Sequence, residues 1–127
     1  MNKRFGTALN CIDGRTQLPV TQWLNTHYHL DYVDLITEPG MDRVLARGPV
    51  DEITLLREKT LVSLSAHASR VIAVVGHFDC AANPVSKYEH FQDIATSTQV
   101  VRAWGFPVNI IGLWVDEKGC IEVVSTS

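Results

Sequence analysis

Short apolar runs alternate along this sequence with longer stretches in which apolar residues recur every three or four positions. Turn-forming residues bound the short runs, which is typical of β-strands, and the periodic stretches are typical of amphipathic helices. We predict strands over residues 7–10, 32–36, 71–75, 108–115 and 120–124. The run at 71–75 is apolar at every position, as expected of a central parallel strand that is covered on both faces.

Three helices are predicted between these strands. The first begins at Pro19, because proline suits the first turn of a helix. The second covers residues 51–68, where apolar residues follow helical spacing. The third begins at Ser86, which forms a capping box with Glu89, and Gly105 supplies its C-terminal stop.

The alternation of strands and helices predicts an α/β fold. We expect a mostly parallel four-stranded sheet in the order 2-1-3-4, with helices on both faces and right-handed crossovers. Residues 116–119 read as a hairpin turn into a short C-terminal strand. The whole chain, residues 1–127, is expected to form a single domain, because this length can bury a core without disulfides.

Composition and charge narrow the class of protein. Hydrophobic residues make up 46% and charged residues 20% of the chain, as in soluble globular proteins. The net charge is −3 and no basic cluster stands out, which argues against a nucleic-acid partner. No apolar stretch approaches the roughly 20 residues of a membrane span, and residues 1–6 lack the features of a signal peptide. We therefore expect a cytoplasmic protein with no membrane partner.

Two clusters of chemically active residues each follow a predicted strand: Cys11-Ile12-Asp13-Gly14-Arg15 and Gly76-His77-Phe78-Asp79-Cys80. Two thiolates and one imidazole form a ligand set that zinc accepts, with a fourth position left open. In a parallel sheet of order 2-1-3-4, the first and third strands are neighbours and the strand order reverses between them. Ligands bind beyond the strand ends at such a point, so the fold and the ligand types both predict a Zn²⁺ site of Cys11, His77 and Cys80.

The spacing Cys-x-Asp-x-Arg after the first strand, with Gly-His-x-x-Cys after a valine-rich third strand, resembles the β-class carbonic anhydrases. The likeness runs roughly from Thr7 to Val124, and it includes a Gly-containing loop after strand two and a C-terminal hairpin. Ala81 and Ala82 stand where the family usually has Gly-Gly. The chain therefore resembles a short, divergent carbonic anhydrase-like member of the family.

The resemblance implies a function and roles for the site residues. Cys11, His77 and Cys80 would be the zinc ligands of an enzyme that hydrates carbon dioxide to bicarbonate. Asp13 and Arg15 would be its catalytic hydrogen-bonded pair, in which Arg15 holds the carboxylate that orients the attacking oxygen. Should Arg15 release Asp13, the carboxylate could close the site as a fourth ligand. A homodimer or larger homo-oligomer is also implied.

Three other functions remain open from the residues alone. The same site could act on another small electrophile, such as carbonyl sulfide or carbon disulfide. Asp13 could permanently close the metal shell, which would give a non-catalytic zinc-binding protein. Cys11 and Cys80 could instead form a redox pair.

The remaining reactive side chains are predicted to be structural. We expect surface or helix-face positions for four histidines: His27, His29, His67 and His90. Cys120 lies at the last hairpin and is expected to be a structural or free thiol. Asp79 is expected to be a loop residue, and the tryptophans Trp23, Trp104 and Trp114 are expected in the core or an interface.

Overall fold

The computed structural model of the protein describes residues 3–126. Met1 and Asn2, the first two residues of the N-terminal stretch considered above, and Ser127 lie outside this part. The described residues form five strands and four helices: β1 (Phe5–Asn10), α1 (Gly14–Tyr28), β2 (Tyr32–Thr37), α2 (Met41–Arg47), α3 (Val50–His67), β3 (Val71–His77), α4 (Lys87–Arg102), β4 (Asn109–Val115) and β5 (Ile121–Ser125). None of these helices combines the length and the apolar character that a membrane span requires.

The five strands form one sheet in the order β2-β1-β3-β4-β5. The first four are parallel, and β5 pairs antiparallel with β4 after the hairpin turn. The predicted α/β class, strand order and C-terminal hairpin strand are therefore confirmed. Every residue of β3 is buried, which agrees with its continuous apolar sequence.

The core is divided by the sheet into two layers. Helix α1 covers one face, where Val20 and Leu24 pack against alternate residues of β1, β3 and β4. Helices α2, α3 and α4 cover the other face, where Leu45 and Leu56 are fully buried. Helices therefore lie on both faces, as predicted, and side chains of successive β3 residues enter opposite layers.

Helix α1 begins five residues earlier than predicted. Its N-cap is Asp13, whose Oδ1 accepts a hydrogen bond from the backbone N–H of Arg15 at 2.9 Å. An aspartate in this position satisfies a free N–H of the first turn, so the helix can start at Gly14. Pro19 lies inside the helix and does not begin it.

The short helix α2 and the burial of His90 were not predicted. Helix α2 follows Gly40, which adopts a left-handed conformation with φ of 62° that favours glycine. His90 was expected at a surface or helix-face position. It lies in α4 but is only 1% exposed, because the N-terminal part of α4 turns its side chain toward α2. Trp114 is buried as expected, while Trp23 and Trp104 are half-buried against the two core layers.

Candidate metal centre

The sheet brings Cys11, His77 and Cys80 together at the carboxyl ends of β1 and β3. One potential ligand atom from each residue lies within 4.8 Å of the other two, and all three side chains are buried. Leu9 of β1 pairs with Val74 of β3, so continuing this register places Cys11 level with the residue before His77. Neighbouring parallel strands thus place residues from distant parts of the sequence in one group.

The unpaired nitrogens of His77 fit a metal site. His77 is 1% exposed, and neither of its ring nitrogens has a hydrogen-bond partner among the described residues. Buried polar atoms in proteins are nearly always paired, and leaving one unpaired costs about 1–3 kcal/mol. A metal ion bound through one ring nitrogen would remove part of this cost.

The spacing of the two sulfur atoms fits zinc as well. Cys11 Sγ and Cys80 Sγ lie 4.0 Å apart, and both cysteines are free thiols. A disulfide would need about 2.05 Å. Two sulfurs on one tetrahedral zinc lie roughly 3.8 Å apart, given Zn–S bonds of about 2.3 Å. The pair therefore has the spacing of two metal ligands.

Hydrogen bonds around the thiols favour a negative charge between them. The Cys80 thiol beside Cys11 lowers the pKa of Cys11 against the opposing effect of burial, and the His77 ring and the backbone N–H groups of Asp13 and Gly40 act in the same direction as Cys80. The resulting thiolate raises the pKa of Cys80, although the backbone N–H groups of Asn83 and Ala82 oppose that shift. A cation placed between the sulfurs would favour the thiolate form of both.

Asp13 and Arg15 form a close ion pair beside the cysteines. Arg15 Nη2 lies 2.6 Å from Asp13 Oδ2, and Arg15 Nε lies 3.1 Å from Asp13 Oδ1. Hydrogen bonds from Arg15 lower the pKa of Asp13 to about 2, so the carboxylate is ionised at neutral pH. Both carboxylate oxygens of Asp13 are turned toward the guanidinium in this structure.

Two residues of the Cys80 loop, which covers residues 78–86 between β3 and α4, also contact Arg15. Its Nη1 lies 3.4 Å from Asp79 Oδ2, and its guanidinium carbon lies 4.7 Å from the centre of the Phe78 ring. Asp79 is therefore a loop residue, as expected, that also contacts the Asp13–Arg15 pair.

A small pocket opens beside Cys11. It has a volume of about 170 Å³ and is lined by Cys11, Ile12, Asp13, Pro39, Ala81 and Ala82. Its walls are mostly apolar, and Asp13 is the charged residue of its lining. A pocket of this character suits a small uncharged molecule with few polar atoms.

A buried polar network next to the centre was missed at the level of sequence. His90 Nδ1 lies 2.6 Å from Asp42 Oδ2, and the side chain of Asn83 donates to Asp42 Oδ1 at 3.2 Å. The one signal in the sequence was Gly76, because a glycine inside a strand often marks the close approach of another group. A Cβ atom at Gly76 would lie 2.8 Å from Asp42 Oδ2.

The fold and the Cys–His–Cys group define an α/β protein with a candidate metal centre between β1 and β3, where the strand order of the sheet reverses. The sequence profile of the family described as "Putative carbonic anhydrase" matches residues 1–125. The chain therefore belongs to this carbonic anhydrase family, and the resemblance predicted from its two motifs is confirmed. A sequence search of curated proteins gives no match.

Solved structures show the same fold. The β-carbonic anhydrase isoform I of Trichomonas vaginalis superposes with a TM-score of 0.66 at 16% identity, covering 98% of this chain and 85% of that one. A tetrameric β-carbonic anhydrase of Sordaria macrospora gives 0.57 at 12% identity, covering 100% and 84%. The carbonic anhydrase of Streptococcus mutans gives 0.54 at 16% identity, covering 98% and 84%. At these identities the likeness establishes the fold alone.

Proposed function

We propose that the protein is a zinc-dependent carbonic anhydrase that converts carbon dioxide and water to bicarbonate and a proton. Cys11, His77 and Cys80 would hold the zinc ion. The observation that carries this proposal is the grouping of these three buried side chains around a histidine whose ring nitrogens are both unpaired. Membership of the carbonic anhydrase family supports the choice of reaction.

Zinc bound at this site would supply a Lewis acid that lowers the pKa of a water molecule, as it does in carbonic anhydrases. Where three histidines hold the zinc, that pKa falls to about 7, whereas two thiolates donate more charge and leave the metal a weaker acid. The protein must therefore contribute to catalysis through the groups that surround the reacting water.

Asp13 is the group best suited to accept a hydrogen bond from the attacking water. It lines the small pocket beside Cys11 and is ionised at neutral pH, so it can only accept hydrogen bonds. Arg15 holds both of its oxygens and so limits the directions in which the remaining lone pairs can point. This pairing favours an enzyme over an inert protein, because Asp13 is turned to Arg15 and away from a role as fourth ligand.

The apolar walls of the pocket agree with carbon dioxide as the substrate. The pocket is lined by four apolar residues together with Cys11 and Asp13: Ile12, Pro39, Ala81 and Ala82. Carbon dioxide bound there would therefore be surrounded mainly by apolar side chains. Carbonyl sulfide and carbon disulfide are similarly small and apolar, and they remain the alternative substrates of the same site.

A homodimer or larger homo-oligomer and a cytoplasmic location complete the proposal. Ile12 lines the pocket beside Cys11 and Leu18 lies on α1, and they are 59% and 64% exposed, which suits a surface covered by a second copy of the chain. The Sordaria macrospora enzymes of the same fold are tetrameric. Free thiols at Cys11, Cys80 and Cys120 agree with a reducing compartment.

The test is stopped-flow carbon dioxide hydration on protein whose zinc content has been measured. We expect zinc-dependent hydration in the wild type and its loss in Cys80→Ala. Asp13→Asn should retain zinc and the N-cap hydrogen bond but lose about 100-fold or more in turnover, as expected when a positioned acid–base group is removed.

The matched control is Asp79→Asn, which removes the other carboxylate in contact with Arg15 but lies outside the pocket. It should lower turnover far less than Asp13→Asn. Full zinc occupancy without hydration at any pH would reject carbon dioxide as the substrate, and the same samples would then be assayed with carbonyl sulfide. Substantial turnover in Asp13→Asn would remove Asp13 from the mechanism.

A further inference from the structure

We propose that Asn83 is a positioning residue for the metal centre. Its side chain joins the loop that carries Cys80 to helix α2, and so fixes the distance between the backbone groups that surround the two thiols. The inference rests on the part of the proposed function in which Cys11, His77 and Cys80 bind zinc. Asn83 lies three positions after Cys80 and is not one of the three proposed ligands.

Asn83 is held by several partners although it lies in a loop. It is 1% exposed, and its Nδ2 donates to Asp42 Oδ1 at 3.2 Å and to Asp93 Oδ2 at 3.0 Å. Its Oδ1 accepts a hydrogen bond from Arg47 Nη2 at 3.3 Å, and Arg47 also forms an ion pair with Asp93. An amide can serve as donor and acceptor at once, which neither aspartate nor alanine can do at this position.

Asp42, the partner of Asn83, is itself fixed in place. It is 1% exposed, and its Oδ2 lies 2.6 Å from His90 Nδ1. The hydroxyl of Ser97 donates to its backbone carbonyl at 2.8 Å, and Gly76 leaves the space that its carboxylate occupies. The hydrogen bond from Asn83 therefore ties the Cys80 loop to an anchor that cannot readily move.

The same two segments touch each other next to the thiols. A Cβ atom at Gly40 would lie 3.1 Å from Ala82 Cβ and 3.2 Å from the backbone of Ala82, so the two loops are in close contact. The backbone N–H of Asn83 donates to the carbonyl oxygen of Cys80 at 3.3 Å, and Gly40 follows Pro39, which lines the pocket beside Cys11. Asn83 thus fixes the backbone next to Cys80 relative to the loop that lies beside Cys11.

Hydrogen bonds to a ligand sulfur and the orientation of the ligand both affect how strongly a metal is held. Without the amide of Asn83, the Cys80 loop would lose its connections to Asp42, Asp93 and Arg47. The spacing of the two sulfurs and their hydrogen bonds would then vary. The expected consequence is weaker zinc binding and an altered sulfur–metal bond in a protein that is still folded.

The experiment compares Asn83→Ala with Thr7→Val in the full chain. Thr7 is the matched control, because it is fully buried and its hydroxyl makes two side-chain hydrogen bonds, to Ser63 at 2.6 Å and Ser69 at 2.7 Å, away from the centre. Zinc affinity is measured by competition with a chelator. Cobalt(II) is then substituted, and its sulfur-to-cobalt charge-transfer absorption reports on the bonds to the thiolates.

We expect Asn83→Ala to bind zinc about 10-fold more weakly than the wild type and to shift the cobalt charge-transfer band. Thr7→Val should lose stability but keep both the affinity and the band. Arg47→Gln serves where Asn83→Ala does not fold, because Arg47 is half-exposed. It removes the hydrogen bond to the Asn83 oxygen and the ion pair with Asp93 but leaves the bonds donated by Asn83, so it should shift the band in the same direction by less.

Two results would overturn the inference: an unchanged affinity and spectrum in the folded variant, or an equal loss of affinity in Thr7→Val. A wild-type protein that binds neither zinc nor cobalt would instead contradict the proposed function. A wild-type protein that binds zinc but does not hydrate carbon dioxide would fail that function while the comparison of metal affinities still decides the role of Asn83.

Discussion

Two histidines are buried near the same edge of the sheet, His77 at the end of β3 and His90 in α4, and they differ in their hydrogen bonding. Each is 1% exposed. His90 has an internal partner, since its Nδ1 lies 2.6 Å from the carboxylate of Asp42. Both ring nitrogens of His77 lack a hydrogen-bond partner within residues 3–126.

This difference separates a residue that stabilises the fold from one that is available for a ligand. Burial of a polar ring is favourable only when its hydrogen bonds are replaced. His90 replaces one of them within the protein, whereas none of residues 3–126 replaces those of the His77 ring nitrogens. The two thiols beside His77, 4.0 Å apart, complete a group of ligand atoms that could hold a metal ion.

The largest effect is expected when each histidine is truncated and the zinc content of the protein is measured. His77→Ala should lose stoichiometric zinc, with affinity falling by more than the roughly 100-fold typical of substitutions outside the ligand shell. His90→Ala should retain zinc, with a smaller loss that comes through Asp42. Metal analysis after gel filtration and chelator competition make the measurement, and full zinc retention in His77→Ala would remove this histidine from the site.

For stability, in contrast to zinc affinity, we expect His90→Ala to be the more damaging of the two substitutions. Without metal, His90→Ala should lower the free energy of unfolding by about 1–3 kcal/mol more than His77→Ala does. The two substitutions remove the same side chain at the same burial, but only His90→Ala leaves the Oδ2 atom of Asp42 buried without its partner. Urea unfolding in the presence of a chelator gives both values, and equal losses would contradict this interpretation of the two environments.

The grouping of His77 with the two cysteines could be predicted from the sequence, because these residues lie at or just after strand ends. Cys11 comes directly after β1, while His77 ends β3 and Cys80 follows three residues later, so the strand order alone brings them to one place. Hydrophobic pattern likewise predicted the sheet and its two covered faces. These features depend on local sequence, which is why they could be inferred from it.

The buried pairing of His90 with Asp42 could not be predicted, because the two polar residues are distant in the sequence. Asp42 lies 48 positions before His90, in a seven-residue helix whose sequence carries no long periodic pattern. Asp13 illustrates the same problem at shorter range. Its spacing from Arg15 indicates an ion pair, but it also caps α1, so the helix begins well before Pro19. When a polar side chain has two roles, as Asp13 does, the surrounding sequence can indicate one of them and leave the other unpredicted.

The last prediction tests whether the two environments are mechanically joined at Gly40. Gly40 follows Pro39, which lines the pocket beside Cys11, and it contacts Ala82 in the loop that leads to Asn83. Gly40→Ala should cost about 1–2 kcal/mol through its left-handed backbone, since φ is 62°. A further loss is expected because the new Cβ would lie 3.1 Å from Ala82 Cβ.

Gly105→Ala is the control that separates these two effects. Gly105 has φ of 80°, but a Cβ atom there would meet nothing within 4 Å. Both variants carry the backbone cost, so the difference in their free energies of unfolding measures the contact between the loops. We expect Gly40→Ala to be the less stable of the two and to weaken zinc binding, whereas Gly105→Ala should bind zinc as the wild type does. Equal stability together with equal zinc affinity would mean that the loops move independently, and that the thiols are held by the sheet alone.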